Sequence, residues 1–515
     1  MRRTGLSRRQ VLRGIAGAAG LAAVSGCTRE VPHGSAHAAA APSALAGAVR
    51  AAEAARPTTG AVRTFSLVAQ PAEVDLGGRI VSTWTYGGVL PGAPFRATAG
   101  DRVRIAVRNE LPEPTSVHWH GLAIRNDMDG VPGLTTPEIG TGATSTYDFV
   151  VPDPGTHWFH PHHGLQLDRG LSAAFIIDDP GDPGDHDVEW VLLLDDWTDG
   201  VGRSPEQIYA DLTGGTPTDG SAMRPDEADG MGGMAGMGHG GDAGMRGMAD
   251  MSPDGDVTYP LYLINGRGPE APEVLRARAG QRVRLRIVNA AADTIFTVAL
   301  GGHRLTITHT DGFPVAPVTT SAVRIGMGER YDAVVTLEDG VFPLVAAPSG
   351  KQGTARALVT TGAGTPPPTS QLPPELSSRP LTAELLSATE DAALPAGDPD
   401  TELDLILAGT MHPYVWTING TTYDRSAPLM IRPGQAGRIR IRNHSMMSHP
   451  VHLHGHTVQL GPAGGTGPRK DTLLMPPMGG ADVALIADNP GRWMVHCHNA
   501  YHAEAGMMTR LDYQL

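Results

Sequence analysis

Histidines spaced two residues apart are the feature of this sequence with the clearest chemistry. Four such pairs that share no histidine occur, in the stretches HWHG, HWFHPHHG, HPVHLHGH and HCHNAYHAEAGMM. Alternate residues of a β-strand point to the same face, so each pair places two imidazoles side by side. Eight imidazoles that converge on one place would hold several metal ions rather than one. The four pairs are His118 and His120, His160 and His162, His452 and His454, and His496 and His498.

A cysteine lies inside the last pair and indicates a second site. On a strand, Cys497 faces away from the two histidines beside it, so its thiolate serves a different site, for which His449 and His502 are the spare imidazoles. Met507 can add a weak axial thioether. Two histidines, one thiolate and a long axial methionine are the ligands of a blue, electron-transferring copper site. Zinc is the alternative metal, although it gains nothing from a thioether.

Three similar stretches show which elements carry these residues. They are AGDRVRIAVRN at 99–109, AGQRVRLRIVN at 279–289 and PGQAGRIRIRN at 433–443. In each, alternating apolar residues follow a glycine and end at an asparagine, a pattern typical of a half-buried strand after a turn. The repeat predicts an all-β chain of three tandem antiparallel β-sandwich domains, at 57–180, 186–362 and 401–515.

The paired histidines belong to the first and third predicted domains only. We therefore expect the metal cluster in the interface between these two domains, with the second domain as a spacer. Cys497 is one peptide unit from each neighbouring histidine. This connection provides two short routes for an electron from the blue copper site into the cluster, which a storage site would not need.

The N-terminal residues predict export and lipid attachment. SRRQVL at 7–12 is a twin-arginine pattern, and VSGC at 24–27 resembles a bacterial lipobox, so residues 1–27 predict export by the twin-arginine route and lipidation of Cys27. An ordinary cleaved signal is the alternative. We expect the chain at the outer face of the cytoplasmic membrane, attached by lipid only. Residues 28–56 are expected to form a flexible tether.

Two further segments interrupt the strand pattern. Residues 363–400 include GTPPPTSQLPPELSS and are expected to form a linker over the surface before the third domain. Residues 223–251, inside the second domain, are rich in glycine and methionine and lack any periodicity that could bury a core face. They are predicted to form a mobile loop.

Charge and cysteine content exclude some classes of function. The formal net charge of -14 argues against a nucleic-acid partner, because phosphate contacts need clustered lysine and arginine. The chain has only two cysteines, so lipidation of Cys27 leaves no internal disulfide for Cys497 to form. We expect a monomer that acts on small molecules or cations.

Together these motifs resemble those of the multicopper oxidases, the family that contains laccases and bacterial cuprous oxidases. The chain looks most like the actinobacterial, mycobacterial-type lipoprotein members implicated in copper resistance. The resemblance implies three cupredoxin domains, four copper ions, and four one-electron oxidations of a substrate coupled to the reduction of O2 to two waters. By position it assigns type 1 copper to His449, Cys497, His502 and Met507, type 2 copper to His118 and His452, and the binuclear type 3 site to His120, His160, His162, His454, His496 and His498.

Reduction of O2 consumes protons, and the resemblance indicates which carboxylates supply them. Asp129 matches an acid that the family places near the cluster as a proton relay, a task that suits a buried carboxylate. The alternative is a turn aspartate before a glycine. A second acid is expected directly after His502, but Ala503 stands there, and Glu504 is the candidate replacement.

Three other histidines lie close to the pairs. They are expected to support the ligands rather than bind metal: His157, His163 and His456.

Methionines indicate the substrate, because thioethers bind Cu(I) better than they bind hard cations. We interpret six methionines, with His239, as a Cu(I)-gathering loop; an insert whose methionine content is incidental is the alternative. The six are Met231, Met234, Met237, Met245, Met248 and Met251. Enterobacterial cuprous oxidases carry their methionine-rich insert in the third domain, whereas this one lies in the second. Met447 matches a substrate-copper methionine of that group, but Ser445 stands where the group has an aspartate.

The expected function is oxidation of Cu(I), and also of phenolic reductants, with O2 as acceptor, in copper detoxification. One alternative is a laccase-like phenol oxidase. The other is a surface lipoprotein that sequesters copper without catalysis. The complete set of ligands favours an enzyme over sequestration.

Overall fold

Three pairs of packed β-sheets build the protein in a computed structural model that describes residues 42–182, 184–214 and 252–515. The prediction of an all-β chain with three tandem cupredoxin-like sandwiches is confirmed. The predicted export signal and the methionine-rich stretch at 231–251 lie outside the described residues.

The first domain contains two four-stranded sheets, ordered β2-β1-β4-β6 and β3-β8-β7-β5. The strands are β1 Val62–Asp75, β2 Ile80–Tyr86, β3 Phe95–Thr98, β4 Arg102–Asn109, β5 His118–His120, β6 Thr144–Val150, β7 Gly155–His160 and β8 Ala173–Asp178. A 3-10 helix, Gln166–Asp168, lies between β7 and β8.

The second domain contains a six-stranded sheet, β10-β9-β12-β17-β14-β15, and a five-stranded sheet, β11-β19-β18-β13-β16. The first strands are β9 Val188–Trp197, β10 Leu261–Ile264, β11 Glu273–Arg276, β12 Arg282–Asn289, β13 Phe296–Leu300 and β14 Leu305–Thr310. The others are β15 Phe313–Thr320, β16 Val323–Ile325, β17 Arg330–Thr336, β18 Val341–Pro348 and β19 Ala355–Thr360.

The third domain repeats this plan, with sheets β21-β20-β23-β28-β25-β26 and β22-β30-β29-β24-β27. The first strands are β20 Thr401–Met411, β21 Tyr414–Ile418, β22 Leu429–Ile431, β23 Ala436–Asn443, β24 His449–Leu453 and β25 Val458–Leu460. The others are β26 Arg469–Lys470, β27 Thr472–Met475, β28 Gly480–Ile486, β29 Arg492–Cys497 and β30 Met508–Tyr513.

The three similar stretches of sequence become β4, β12 and β23, which occupy equivalent positions in their sheets. Each pairs in parallel with the first strand of its own domain, β1, β9 or β20. The sheets are therefore mixed, which corrects the prediction of antiparallel sandwiches. The parallel pair arises because the chain passes through the other sheet before it returns, as β3 does between β2 and β4.

Each repeated strand ends at a buried asparagine that closes the next turn. Asn109 donates from Nδ2 to two carbonyl oxygens and accepts the N–H of Leu111 at Oδ1. Asn289 and Asn443 make the same three hydrogen bonds. The asparagine of the repeat is therefore structural, and in the third domain it holds the turn that leads to His449.

A helix, α1, covers Pro42–Ala54 and corrects the flexible tether predicted over 28–56 for this part of the segment. Its alanine-rich composition favours a helix, because alanine has the highest helix propensity. Glu53 is buried, and its Oε1 accepts a backbone N–H of β6 at 2.9 Å. Arg56, just after the helix, donates to Asn489 Oδ1 at 3.2 Å. The segment thus contacts both the first and the third domain.

The predicted linker at 363–400 packs along the second and third domains. It forms two 3-10 helices, Pro374–Ser377 and Ala383–Leu385. The backbone N–H groups of Leu381 and Ala388 donate to carbonyl oxygens of the second and third domains, at 2.9 and 2.8 Å. Two further α-helices are α2, Pro205–Thr213, and α3, Ala500–Glu504. Among the described residues, no helix is long and apolar enough to cross a membrane.

Candidate metal centre

All eight paired histidines meet in the interface between the first and third domains. Strands β5 and β7 supply histidines from one side and strands β24 and β29 from the other. His118 Nε2 lies 3.4 Å from His452 Nε2. His496 Nε2 lies 3.4 Å from His162 Nε2 and 3.1 Å from His454 Nε2. Each of these distances crosses the interface or joins two strands of the third domain, as the pairing predicted.

The remaining three imidazoles, of His120, His160 and His498, form a group of their own. The ring centroid of His498 lies 4.9 Å from that of His120 and 5.2 Å from that of His160. His120 Nδ1, His160 Nε2 and both ring nitrogens of His498 are buried without a hydrogen-bond partner. Such atoms are costly unless a partner satisfies them, and a metal ion is the partner that suits an imidazole lone pair.

Contacts on the outer side of the cluster determine which nitrogen faces inward. In four imidazoles Nδ1 lies 2.8–3.0 Å from a main-chain carbonyl oxygen, which leaves Nε2 for a metal. The four are His118, His160, His452 and His496. His120 has the opposite orientation: its Nε2 lies 3.2 Å from Asp471 Oδ1 and 3.1 Å from Thr472 Oγ1, so Nδ1 faces the cluster.

Burial favours the neutral, metal-binding form of most of these imidazoles. Removal from water lowers their pKa most, and neighbouring imidazoles lower it further, because a second positive charge nearby is unfavourable. The pKa is lowered well below its usual value in His120, His160, His162, His454, His496 and His498.

The short distances allow the eight imidazoles to be assigned to one pair and two groups of three, although His118 also lies within 4.8 Å of His120 and His160, and of His454. The pair is His118 and His452; the groups are His162, His454 and His496, and His120, His160 and His498. This division matches the one type 2 and two type 3 positions that the resemblance implies, and the donor set fits three copper ions.

A separate triangle is formed by His449, Cys497 and His502. The Nδ1 atoms of the two histidines lie 3.0 Å apart, and Cys497 Sγ lies 3.6 Å from that of His449 and 3.7 Å from that of His502. An ion at the centre would lie about 2 Å from all three atoms, close to ordinary metal–nitrogen and metal–sulfur bond lengths. Met507 is fully buried, and its carbonyl oxygen accepts the N–H of Cys497 at 3.0 Å. These residues fit a blue copper site.

Residues that the sequence did not single out for this purpose cover the outer edge of the triangle. Ser445 Oγ lies 2.7 Å from His449 Nε2, and Asp256 Oδ2 lies 2.8 Å from His502 Nε2. The ring of Trp416 packs against both imidazoles, with centroid distances of 5.1 and 4.2 Å. No motif marks Asp256 or Trp416, since only the tertiary fold brings them to the histidines.

Asp256 also changes the protonation of His502 in the metal-free chain. Burial lowers the pKa of His502, but the Asp256 carboxylate and then Cys497 outweigh it and raise the pKa to about 10. The imidazole is therefore protonated at neutral pH without metal. Metal binding at this site must release that proton.

Asp129, the predicted proton relay, lies directly behind the cluster and is buried. Its Oδ2 lies 3.0 Å from His454 Nδ1 and its Oδ1 lies 3.3 Å from His118 Nδ1. The carboxylate therefore contacts one imidazole of the predicted type 2 pair and one of the predicted type 3 set.

Glu504 lines a cavity of about 190 Å³ that extends to the cluster. Ala503 also lines this cavity, and Glu504 is exposed at the protein surface. The cavity is large enough for small molecules such as O2 and water. It also touches four of the paired histidines, namely His160, His162, His496 and His498.

The second domain contacts the cluster directly, which corrects the prediction that it is only a spacer. Gly328, in the turn before β17, has a φ of 82°. A Cβ at this position would lie 2.8 Å from a ring carbon of His498 and 3.0 Å from one of His120. Only glycine combines this conformation with this close approach. The middle domain also supplies Asp256 to the blue copper site.

The other predicted residues lie around these two centres. His456 Nε2 lies 2.7 Å from the Tyr513 hydroxyl, His163 Nδ1 lies 3.9 Å from Glu138, and His157 is buried. Met447 is buried next to the blue copper site. The six methionines between 231 and 251 lie outside the described residues, as does His239.

Comparison with known proteins places the chain in a family. Three models of the multicopper oxidase family match residues 69–182, 239–364 and 397–514. The chain is 50% identical to multicopper oxidase MmcO of Mycobacterium tuberculosis over 473 residues, which are 92% of this chain and 91% of that protein. It is 28% identical to copper resistance protein A of Escherichia coli, over 86% of this chain and 91% of that protein.

Solved structures agree in fold. Fet3p, a multicopper oxidase that functions in iron import, has a TM-score of 0.72 at 21% identity, over 88% of this chain and 90% of that chain. The laccase from Botrytis aclada has a TM-score of 0.71 at 24% identity, over 89% of both chains. The first and third matched regions contain all four histidine pairs and Cys497. The chain therefore belongs to the multicopper oxidase family, whose members bind copper and couple oxidation of a substrate to reduction of O2.

Proposed function

We propose that the chain is a cuprous oxidase, which oxidises Cu(I) to Cu(II) with O2 as acceptor and contributes to copper detoxification. The covered edge of the blue copper site is the observation that carries this proposal. His449 and His502 are buried, and Ser445 and Asp256 occupy their outer Nε2 atoms. A phenol has no free histidine edge to contact here, whereas a metal ion needs only donor atoms nearby.

Exposed soft donors lie next to this edge. Met446 is 71% exposed and Met478 is 64% exposed. The N–H of Met478 donates to the carbonyl oxygen of Ser445 at 3.0 Å, so the two turns are in contact. His444 is also exposed and lines a surface groove together with Met478. Thioethers and imidazoles are donors that suit Cu(I).

Ser445 joins this surface to the blue copper ligands. It lies between His444 and Met446 in the chain, and its hydroxyl contacts the ring of His449. A Cu(I) ion held by the exposed donors would be one residue and one hydrogen bond away from a copper ligand. The serine therefore offers an electron route at the position where enterobacterial cuprous oxidases have an aspartate.

The residues on either side of 215–251 both approach the blue copper site. On the N-terminal side of this stretch, the helix Pro205–Thr213 places Tyr209 against Tyr414, with ring centroids 6.5 Å apart. On its C-terminal side, Asp256 contacts the proposed copper ligand His502 and accepts a hydrogen bond from the Tyr414 hydroxyl at 2.7 Å. These flanks support our proposal, made on sequence alone, that the methionine-rich stretch gathers Cu(I).

Copper bound at these sites supplies one-electron transfer at the blue site and four-electron reduction of O2 to water at the cluster. The chain supplies the connection, because Cys497 is one peptide unit from both His496 and His498. Nδ1 of His496 lies 2.8 Å from the Cys497 carbonyl oxygen, which holds this imidazole in a fixed orientation. Copper sequestration, the alternative function, requires no such connection. Phenol oxidation remains the second candidate because laccases share the fold.

Protons must reach the cluster as O2 is reduced, and we propose Asp129 and Glu504 as their donors. Asp129 contacts two ligand imidazoles from the buried side. Glu504 is exposed and lines the cavity that extends to four histidines. In our proposal Glu504 therefore takes the role of the acid expected directly after His502, where this chain has Ala503.

We also propose that the chain is a monomer exported by the twin-arginine route and attached by lipid at Cys27. A single chain supplies every proposed copper ligand, so the site needs no second copy. The export and lipidation motifs lie outside the described residues, and the sequence alone supports them.

Cys497→Ser tests the electron route. The copper-loaded wild type is expected to be blue and to consume O2 faster with Cu(I) than with a simple phenol. The variant is expected to lose colour and turnover, because it lacks the thiolate, while the cluster keeps its copper. Visible absorption measures the colour, and copper content measures retention by the cluster. O2 uptake with Cu(I), Fe(II) and a phenol measures turnover. Turnover by the variant would refute the route, and wild-type copper binding without colour or O2 uptake would favour sequestration.

Replacing Met446 and Met478 together by leucine tests the Cu(I) surface. We expect kcat/KM for Cu(I) to fall about tenfold, the loss of one modest interaction, while kcat/KM for a phenol stays unchanged. Met430→Leu, in β22, is the matched control. Deletion of 231–251 should likewise affect Cu(I) more than phenol. An equal loss with both substrates would show that these methionines do not receive Cu(I).

Glu504→Gln and Asp129→Asn test the proton donors. Loss of a proton donor typically slows a reaction by about 100-fold or more, so O2-dependent turnover is expected to fall while anaerobic bleaching of the blue colour by Cu(I) keeps its rate. Glu390→Gln, an exposed carboxylate of the linker, is the control. Slower bleaching in either variant would indicate damage to the blue copper site instead.

Cys27→Ala tests lipid attachment. The wild type is expected in the membrane fraction and the variant in the soluble extracytoplasmic fraction, since the acylated thiol is lost. Cys497→Ser, which retains Cys27, should fractionate as the wild type does. A variant that stays with the membrane would rule out this anchor. Size-exclusion chromatography of the released form tests the monomer.

A further inference from the structure

Arg330 lies where all three domains meet, and its side chain is completely buried. It begins β17 of the second domain. Its Nε donates to the carbonyl oxygen of Thr156 in the first domain at 3.0 Å, and Nη1 donates to that of Gly328 at 3.0 Å. Toward the third domain, Nη1 and Nη2 donate to the two carboxylate oxygens of Asp471, at 2.7 and 2.6 Å.

Asp471 connects this guanidinium to the cluster. The same Oδ1 that accepts from Arg330 lies 3.2 Å from His120 Nε2 and accepts from Thr472 Oγ1 at 2.8 Å. The main-chain oxygen of Asp471 lies 3.0 Å from His452 Nδ1. Asp471 therefore contacts one imidazole from each side of the interface, and both are proposed copper ligands.

We propose that Arg330 is a positioning residue of the copper cluster, which holds the Asp471 carboxylate against His120 so that the Nδ1 lone pair of this imidazole faces the metal. The bidentate arginine fixes both carboxylate oxygens. A carboxylate fixed in this way accepts a hydrogen bond from Nε2 of His120. The proton of this imidazole then lies on Nε2, which leaves Nδ1 without a proton. The inference concerns metal retention and does not depend on Cu(I) being the substrate.

The glycine of HWHG supports this role. Gly121 follows His120 and has a φ of 82°. A Cβ here would collide with the Arg330 guanidinium and lie 2.7 Å from Asp471 Oδ2. The residue after the copper ligand is therefore small because the buried ion pair occupies the space beside it.

A purely structural role is the competing explanation, because a buried ion pair between domains is costly to break. Loss of one partner leaves an uncompensated buried charge, whereas replacement of both by apolar residues is often neutral for stability. The double replacement therefore separates the two roles: it removes the charge imbalance, and it also removes the acceptor for His120.

The test compares Arg330→Met with the double variant Arg330→Met/Asp471→Leu. We expect the single variant to melt at a lower temperature in metal-free form, and the double variant to recover much of that loss. In both, copper retention by the cluster should fall about 10- to 100-fold, the usual cost of removing a residue that orients a metal ligand. Because His120 is a proposed type 3 ligand, the change should appear as loss of type 3 copper or as a new EPR signal from type 3 Cu(II) that is no longer coupled, and the blue absorbance should persist.

Arg284→Met is the matched control. Arg284 is a buried arginine of the same sheet, with two of its nitrogens bonded to Asp332, and its loss should lower the melting temperature without altering the EPR signal. Gly121→Ala should weaken copper retention with every charge in place. A double variant that keeps four coppers and the wild-type EPR signal would overturn the proposal, and Arg330 would then be an interdomain clamp only. Copper titration with a chelator needs no substrate, so this outcome is independent of the cuprous oxidase proposal.

Discussion

Imidazoles can be buried side by side only while they stay uncharged, and in this cluster the chain occupies the outer nitrogen of six of the eight. The rest of this structure follows from that constraint. Main-chain carbonyl oxygens occupy Nδ1 of four histidines, Asp129 that of His454, and Asp471 the Nε2 of His120. Two of these contacts, from Asp129 to His454 and from Asp471 to His120, cross between the first and third domains, so the interface helps to order the cluster.

The same arrangement explains why the middle domain is close to both copper centres. It supplies no predicted ligand of these two centres, yet Gly328 packs against two cluster histidines and Asp256 contacts a ligand of the blue site. Arg330 forms an ion pair with the Asp471 carboxylate, which contacts His120. The middle domain thus contacts the proposed copper ligands from behind, while the outer domains supply those ligands.

Much of this could be predicted from sequence because the chemistry is local in the chain. A His-x-His pair on a strand places two imidazoles on one face, and the cysteine between His496 and His498 must face the other way. The strand repeat predicts three sandwiches because alternation and a closing asparagine recur in each. The parallel strand pairs are not predictable in this way, since they depend on where the chain crosses between sheets.

The residues that sequence analysis missed share a single property. They contact residues far away in the sequence and belong to no spacing pattern. Asp256, Trp416 and Arg330 resemble ordinary residues of strands and turns until the fold brings them to a histidine. The α1 helix was missed for a different reason. Its alanines suit a tether as well as a helix, and its buried contact at Glu53 decides between them.

The position of the ligands along the chain also has a consequence for biosynthesis. The first domain contributes its four histidines early, whereas the other ligands lie near the C-terminus. Domains generally fold in the order in which they are made, so the early histidines exist as half of a site before their partners are synthesised. Imidazoles bind several divalent metals, and selectivity depends on a completed geometry. Correct loading with copper therefore requires the first and third domains to meet before a competing ion binds the four histidines of the first domain.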